Sequence, residues 1–292
     1  MNVSQYGSPE AFRTALTARL RERSKASKWT LVQLQRQFAY DRFLERLYFE
    51  DDGWILKGAT ALLARNIGVR GSLDLDLYMP ATHEIAEAIV RRAAQLPIDW
   101  MRFEVGLSKP MKVGIRLSIT ASIGSTRWVG FPIDIVGGEL NITGAPDDVP
   151  ALARGLMPDI AQRGYRVYPI VDHVADKVAA TYEVYGASGQ VSTRYRDLVD
   201  LVAIISGVSI KAEHQARALM SEFKRRSLEF PTAFAVPDRQ AWERGYRLEC
   251  AQSLLSLADD LDTALSLVGS FLNPLLLGKT EGTWSHDELR WL

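Results

Sequence analysis

The stretch Ser72-Leu73-Asp74-Leu75-Asp76-Leu77 alternates polar and apolar residues with a period of two. Successive side chains of a strand point to opposite faces, so the pattern predicts a half-buried strand with its three leucines toward the core. Asp74 and Asp76 then sit side by side on the other face. Two carboxylates so placed suit Mg²⁺, which keeps an octahedral oxygen shell and shares it with phosphates. The alternation fits two water-facing aspartates as well, although Asp is a poor strand residue.

Around this strand the sequence reads as an α/β (α+β) chain of two domains, 1–150 and 151–292. Ser8-Pro9-Glu10 gives a cap, first-turn proline and first-turn acid for one helix, with Phe12, Leu16 and Leu20 on one face. A second helix starts near Thr30 with a stripe of Leu31, Leu34, Phe38, Phe43 and Leu47. Short strands follow at Trp54-Ile55-Leu56, Met101–Val105, Val113–Ile119 and Trp128–Val136, and a helix at His83–Ala94. Beyond residue 150 the pattern is mainly helical, over 171–185, 195–206, 211–226, 238–256 and 259–272.

Two further stretches carry chemistry. In Lys57-Gly58-Ala59-Thr60, between a strand and a helix, glycine lets the backbone approach a ligand and Lys57 offers a point charge to polyphosphate. An ordinary turn capped by Thr60 explains the same residues, and the GxxxxGK[ST] spacing is absent. In Phe131-Pro132-Ile133-Asp134-Ile135-Val136 an aspartate interrupts an apolar strand, which is costly unless it is paired, exposed or binds metal. Pro132 places this strand at an edge or at its start. If it lies beside 72–77, Asp134 becomes a third carboxylate.

Other classes find no support. No apolar run reaches the roughly 18 residues of a membrane span, and the first twelve residues lack a signal-peptide pattern. A single cysteine, Cys250, excludes an internal disulfide, and a reducing cytoplasm is the expected location. The four histidines form no HExxH pair, and no G-x-S-x-G elbow appears. Net charge is formally zero, but residues 1–47 hold nine Lys/Arg against four Asp/Glu, and 48–160 hold eleven against fourteen.

Taken in order, Lys57-Gly58-Ala59-Thr60-Ala61-Leu62 and Arg70-Gly71-Ser72-Leu73-Asp74-Leu75-Asp76 resemble the AbiEii family of nucleotidyltransferase-like toxins, whose mycobacterial relatives modify tRNA. The resemblance implies a polymerase-beta-like nucleotidyltransferase domain with a mixed sheet, N-terminal helices and a C-terminal helical domain. Asp134 matches the third carboxylate position. Lys177, in Val174-Ala175-Asp176-Lys177, matches a family lysine that contacts the nucleotide triphosphate. Asp197, in Arg194-Tyr195-Arg196-Asp197, matches the fourth motif, with Asp200 a turn later. From the residues alone, Lys177 fits a solvated helix face, and Asp197 and Asp200 fit pairs with Arg194 and Arg196.

What the resemblance implies is transfer of a nucleoside monophosphate from an NTP, CTP or another pyrimidine, to the 3′ end of tRNA, blocking translation. Asp74, Asp76 and Asp134 would hold Mg²⁺; Lys57, Gly58, Thr60, Ser72 and Lys177 would bind nucleotide; Lys57, Lys177 and Asp197 join the carboxylates in catalysis. Arg19, Arg23, Arg36 and Arg42 are candidate tRNA contacts on the basic N-terminal helices. Ser72, two residues before Asp74, is a candidate phosphorylation site for a kinase antitoxin. The alternatives are a non-catalytic nucleotide- or RNA-binding protein, or transfer to a protein acceptor.

Overall fold

A computed structural model describes residues 6–138, 140–186 and 189–292. The chain forms two compact units, one of residues up to 65, 71–140 and 147–167, the other of 66–70, 141–146 and 168–292.

The first unit opens with α1 (Pro9–Lys25), where the Ser8 side chain accepts the Ala11 N–H and Phe12, Leu16 and Leu20 are buried. The Thr30–Gln33 pair forms a reciprocal capping box for α2 (Leu31–Glu50). Next come β1 (Ile55–Leu56), α3 (Gly58–Ala64), β2 (Leu75–Tyr78), α4 (His83–Ala94), β3 (Met101–Pro110), β4 (Ile115–Ile123) and β5 (Thr126–Val136). Two short strands, β6 (Asp147–Val149) and β7 (Tyr165–Val167), complete a seven-stranded sheet in the order β3-β4-β5-β2-β1-β7-β6. The sheet is mixed: β2 runs parallel to β5 and β1 parallel to β7, while the other pairs are antiparallel.

One face of the sheet packs on α2 and α4. Phe43 of α2 meets Phe103 and Phe131 edge-on at 5.2 and 6.1 Å, above fully buried Leu117, Ile133 and Ile135. The middle of α2 is buried on all sides, including Asp41, Arg42, Glu45 and Arg46. Those charges tie in the later segment. Asp41 accepts N–H bonds from Leu152 and Ala153, and Glu45 accepts from the Arg163 N–H. This is why the first unit reaches Val167 rather than the expected residue 150.

The second unit contains α5 (Ile170–Tyr182), α6 (Tyr195–Ile205), β8 (Ile210–Lys211), α7 (Ala212–Arg225), α8 (Arg239–Ala251), α9 (Leu261–Leu276), β9 (Thr283–Ser285) and β10 (Arg290–Trp291). β9 pairs with both β8 and β10 in a small antiparallel sheet that the sequence reading did not foresee. Among the described residues no helix is long and apolar enough to cross a membrane.

Candidate active site

Strand pairing brings the acidic residues of the first unit together. β2 lies parallel to β5 in a register that sets Asp76 directly beside Asp134. Asp74 precedes the first residue of β2, and its carboxylate still joins the other two: one oxygen of each lies within 4.8 Å of the others. Pro132 is tolerated because pairing with β2 begins only at Ile133, so at Pro132 the strand has β4 alone as partner. Past that point β5 is interior, not an edge.

The loop before α3 presses on the same carboxylates. Gly58 has φ +62°, and a Cβ there would lie 1.8 Å from Asp76 Oδ2, so only glycine fits. The Lys57 N–H donates to the Asp76 carbonyl, placing Lys57 at the end of β1 beside the acidic strand. Thr60 is fully buried and its hydroxyl reaches the Asp74 carbonyl at 3.4 Å, so it braces the D-x-D segment instead of facing a triphosphate.

Ser72 and Leu73 depart from the expected strand. The chain bends there, Leu73 is 62% exposed rather than core-facing, and Ser72 is buried. The Ser72 hydroxyl nevertheless reaches Asp74, 2.9 Å from both its carbonyl and its carboxylate oxygen. Tyr40 of α2 donates to the Ser72 carbonyl, and burial together with the charges of Asp74 and Asp76 keeps its phenol protonated far above the ordinary range.

Three carboxylates this close repel one another, and the structure supplies a cation. Arg116 of β4 sits opposite Asp134 and grips it with two bonds of 2.6 Å, Nε to Oδ1 and Nη2 to Oδ2. Its pKa is raised, first by that bond and further by the charges of Asp134, Asp74 and Asp76. Sequence reading missed Arg116, whose only local signal is a polar residue in an alternating strand. A cluster of hard carboxylate oxygens facing a glycine-lined loop suits a divalent cation of the Mg²⁺ or Mn²⁺ type.

The second unit holds its own charged cluster. Lys177 donates to Asp197 at 2.9 Å and Asp200 at 2.7 Å; Arg70 grips Asp200 with two bonds, and Arg194 lies 2.7 Å from Asp197. Three cations thus meet two carboxylates. Burial opposes the Lys177 ammonium, but Asp197 and Asp200 outweigh it and raise its pKa; burial likewise works against the Asp197 carboxylate, and Lys177 and Arg194 reverse the sign. Lys177 is therefore not a solvated helix residue. Arg196 pairs with Glu249, not with Asp200.

The expected tRNA contacts fare unevenly. Arg42 is fully buried, bonded to Asp99 and the Ala161 carbonyl, and cannot reach a phosphate. Arg19 and Arg23 are half-buried and donate to Leu156, Met157 and Leu152. Arg36 is half-buried with its Nε enclosed.

With this geometry in view, comparison with known proteins is decisive for the family. The AbiEii family, described as "Nucleotidyl transferase AbiEii toxin, Type IV TA system", matches residues 42–267. The chain belongs to the AbiEii family. Its members are nucleotidyltransferase toxins of type IV toxin–antitoxin systems, so an antitoxin partner and a nucleotide substrate follow. The fold resembles that of MenT4, a nucleotidyltransferase toxin from Mycobacterium tuberculosis, at 15% identity and TM-score 0.53, over 94% of this chain and 99% of that one. It also resembles JHP933 from Helicobacter pylori at 18% identity and TM-score 0.50, over 84% and 93%. No curated protein sequence matches it.

Proposed function

We propose that this AbiEii nucleotidyltransferase moves a nucleoside monophosphate from an NTP, with CTP or another pyrimidine favoured, to the 3′ end of tRNA and thereby blocks translation. The observation that carries the reading is the convergence of Asp74, Asp76 and Asp134 beside Gly58. A protein that only binds nucleotide has no need of three carboxylates facing a triphosphate.

Asp74, Asp76 and Asp134 would hold Mg²⁺, which when bound offsets triphosphate charge and favours in-line displacement of pyrophosphate. The chain's own residues do the rest. Gly58 keeps the loop close to Asp76, Thr60 and Ser72 fix the Asp74 segment, and Arg116 orients Asp134. Lys57 supplies positive charge at the phosphate end. Within the second unit, Asp197 and Asp200 hold the ammonium of Lys177, the lysine that matches the family's triphosphate-contacting position, protonated and oriented.

Silencing by a kinase antitoxin acting on Ser72 belongs to the same reading. A phosphate there adds about 1.5 to 2 negative charges against Asp74. The serine is buried, so modification needs the Gly71–Leu73 segment to open.

The test is incubation with Mg²⁺, each labelled NTP in turn and deproteinised total RNA. Label in a tRNA-sized band, absent from an Asp74→Ala/Asp76→Ala variant, supports the reading and names the nucleotide. Label on protein moves the acceptor to a protein, and nucleotide binding without transfer leaves a binding protein.

A further inference from the structure

The face of β3–β5 opposite α2 and α4 is open, and its chemistry is uneven. Residues paired across a sheet share a face, and pairing sets Lys109 beside Arg116, Arg116 beside Asp134, and Asp134 beside Asp76. One row of side chains, about 14 Å across at ~4.8 Å per strand, thus runs from two cations into the carboxylate cluster.

Further along the same face, on β4, come the hydroxyls of Ser118 and Thr120. They lie opposite Pro132 and Gly130, which leave the surface low. Arg127 folds over that gap. A Cβ on Gly130 would meet the Arg127 Nη2 at 2.8 Å, so the guanidinium lies on this face, about 14 Å along the strand from Arg116 at ~3.4 Å per residue. Arg102 belongs to the face as well, beside Ser122. Glu104, opposite Thr120, is the one carboxylate of β3–β5 on this face away from Asp134. Arg102, Lys109 and Arg127 are exposed and, among the described residues, engaged by no ion pair.

We infer that this open sheet face is the docking surface for a single-stranded RNA acceptor, whose backbone follows Arg127, Lys109 and Arg116 toward the carboxylates. The inference rests on the reading of nucleotide transfer to RNA and gives that acceptor its surface. Charge complementarity supports it: the exposed cations Arg102, Lys109 and Arg127, small residues and hydroxyls suit a phosphate–ribose backbone, and the row ends where a 3′ hydroxyl has to arrive. Arg19, Arg23 and Arg42 of α1 and α2 are a weaker platform, being buried or spent on main-chain carbonyls.

The experiment is fluorescence anisotropy of a labelled single-stranded oligoribonucleotide on the full-length protein, in EDTA without NTP, across a salt series. Lys109→Gln/Arg127→Gln removes two contacts on the face, and Arg21→Gln/Lys28→Gln removes two exposed charges in and after α1. At ~0.7 of slope per single-strand contact, the sheet variant weakens RNA binding about 25-fold in about 0.1 M salt and flattens the log–log salt slope by about 1.4. The α1 comparator stays at wild-type affinity, and Mg²⁺-dependent NTP binding is unchanged in both.

Wild-type RNA affinity in the sheet variant overturns the docking surface and leaves transfer to RNA standing. A wild-type protein that fails to bind RNA yet labels a protein acceptor overturns both.

Discussion

Replacing Gly58 with alanine adds one carbon at the point where the loop meets the acidic strand. That carbon falls 1.8 Å from Asp76 Oδ2, 2.7 Å from its Cγ and 3.1 Å from its Cβ. Turning the carboxylate about its last bond does not clear the clash, so the Asp76 side chain or the loop has to shift. Restoring a 3.0 Å contact needs a displacement of roughly 1.2 Å. The left-handed backbone adds about 1–2 kcal/mol for any residue with a Cβ. A displacement of about 1 Å in a reacting constellation costs up to ~100-fold in rate, about 2.7 kcal/mol. Gly58→Ala is therefore expected to lower nucleotide transfer about 100-fold and weaken Mn²⁺ binding, while melting only a few degrees earlier. Labelled-nucleotide transfer, a Mn²⁺ titration and a thermal melt read the three effects separately. Wild-type transfer and Mn²⁺ affinity in this variant would refute the claim that the loop positions Asp76.

Three other outcomes are expected. Asp99→Asn leaves the fully buried guanidiniums of Arg42 and Arg46 without their carboxylate, so urea unfolding should show a loss of about 3–5 kcal/mol; a loss below about 1 kcal/mol contradicts the pairing. Burial pushes the Asp41 carboxyl up to about 7, from an ordinary 3.8, against opposing N–H bonds and arginine charges. The unfolded chain then loses this proton before the native one, so the group's contribution to stability falls as pH rises from 3.8 to about 7 and is level above; Asp41→Asn should flatten that slope in urea titrations. Ser72→Asp should abolish transfer while Ser72→Ala keeps most of it, and an active Ser72→Asp enzyme removes Ser72 as a control point.

The acidic centre was legible in the sequence because its elements are short and local. Asp74-Leu75-Asp76 announces a two-faced strand by its period alone, and Asp134 stands out as a charge inside an apolar run. That the two strands are neighbours was a condition in the sequence reading, and the β2–β5 register meets it. Helix α4 begins and ends where the sequence reading places it, at His83 and Ala94. What the sequence hides is pairing at a distance. Arg116 looks like any polar strand residue until β4 is laid beside β5, and Arg70 lies 130 positions from Asp200. Arg42 reads as a basic surface residue on a helix, but the middle of α2 is enclosed on every side, and its charge serves Asp99. The strands β6 to β10 are two or three residues long, too short for a period to show.

The most direct test of the account is a Mn²⁺ titration, followed by electron paramagnetic resonance, on the wild-type chain and on Asp74→Asn, Asp76→Asn and Asp134→Asn. The account predicts saturable binding in the wild type and loss of it in each variant, because it has the three clustered carboxylates hold one cation together. Undiminished Mn²⁺ binding in all three variants would contradict it.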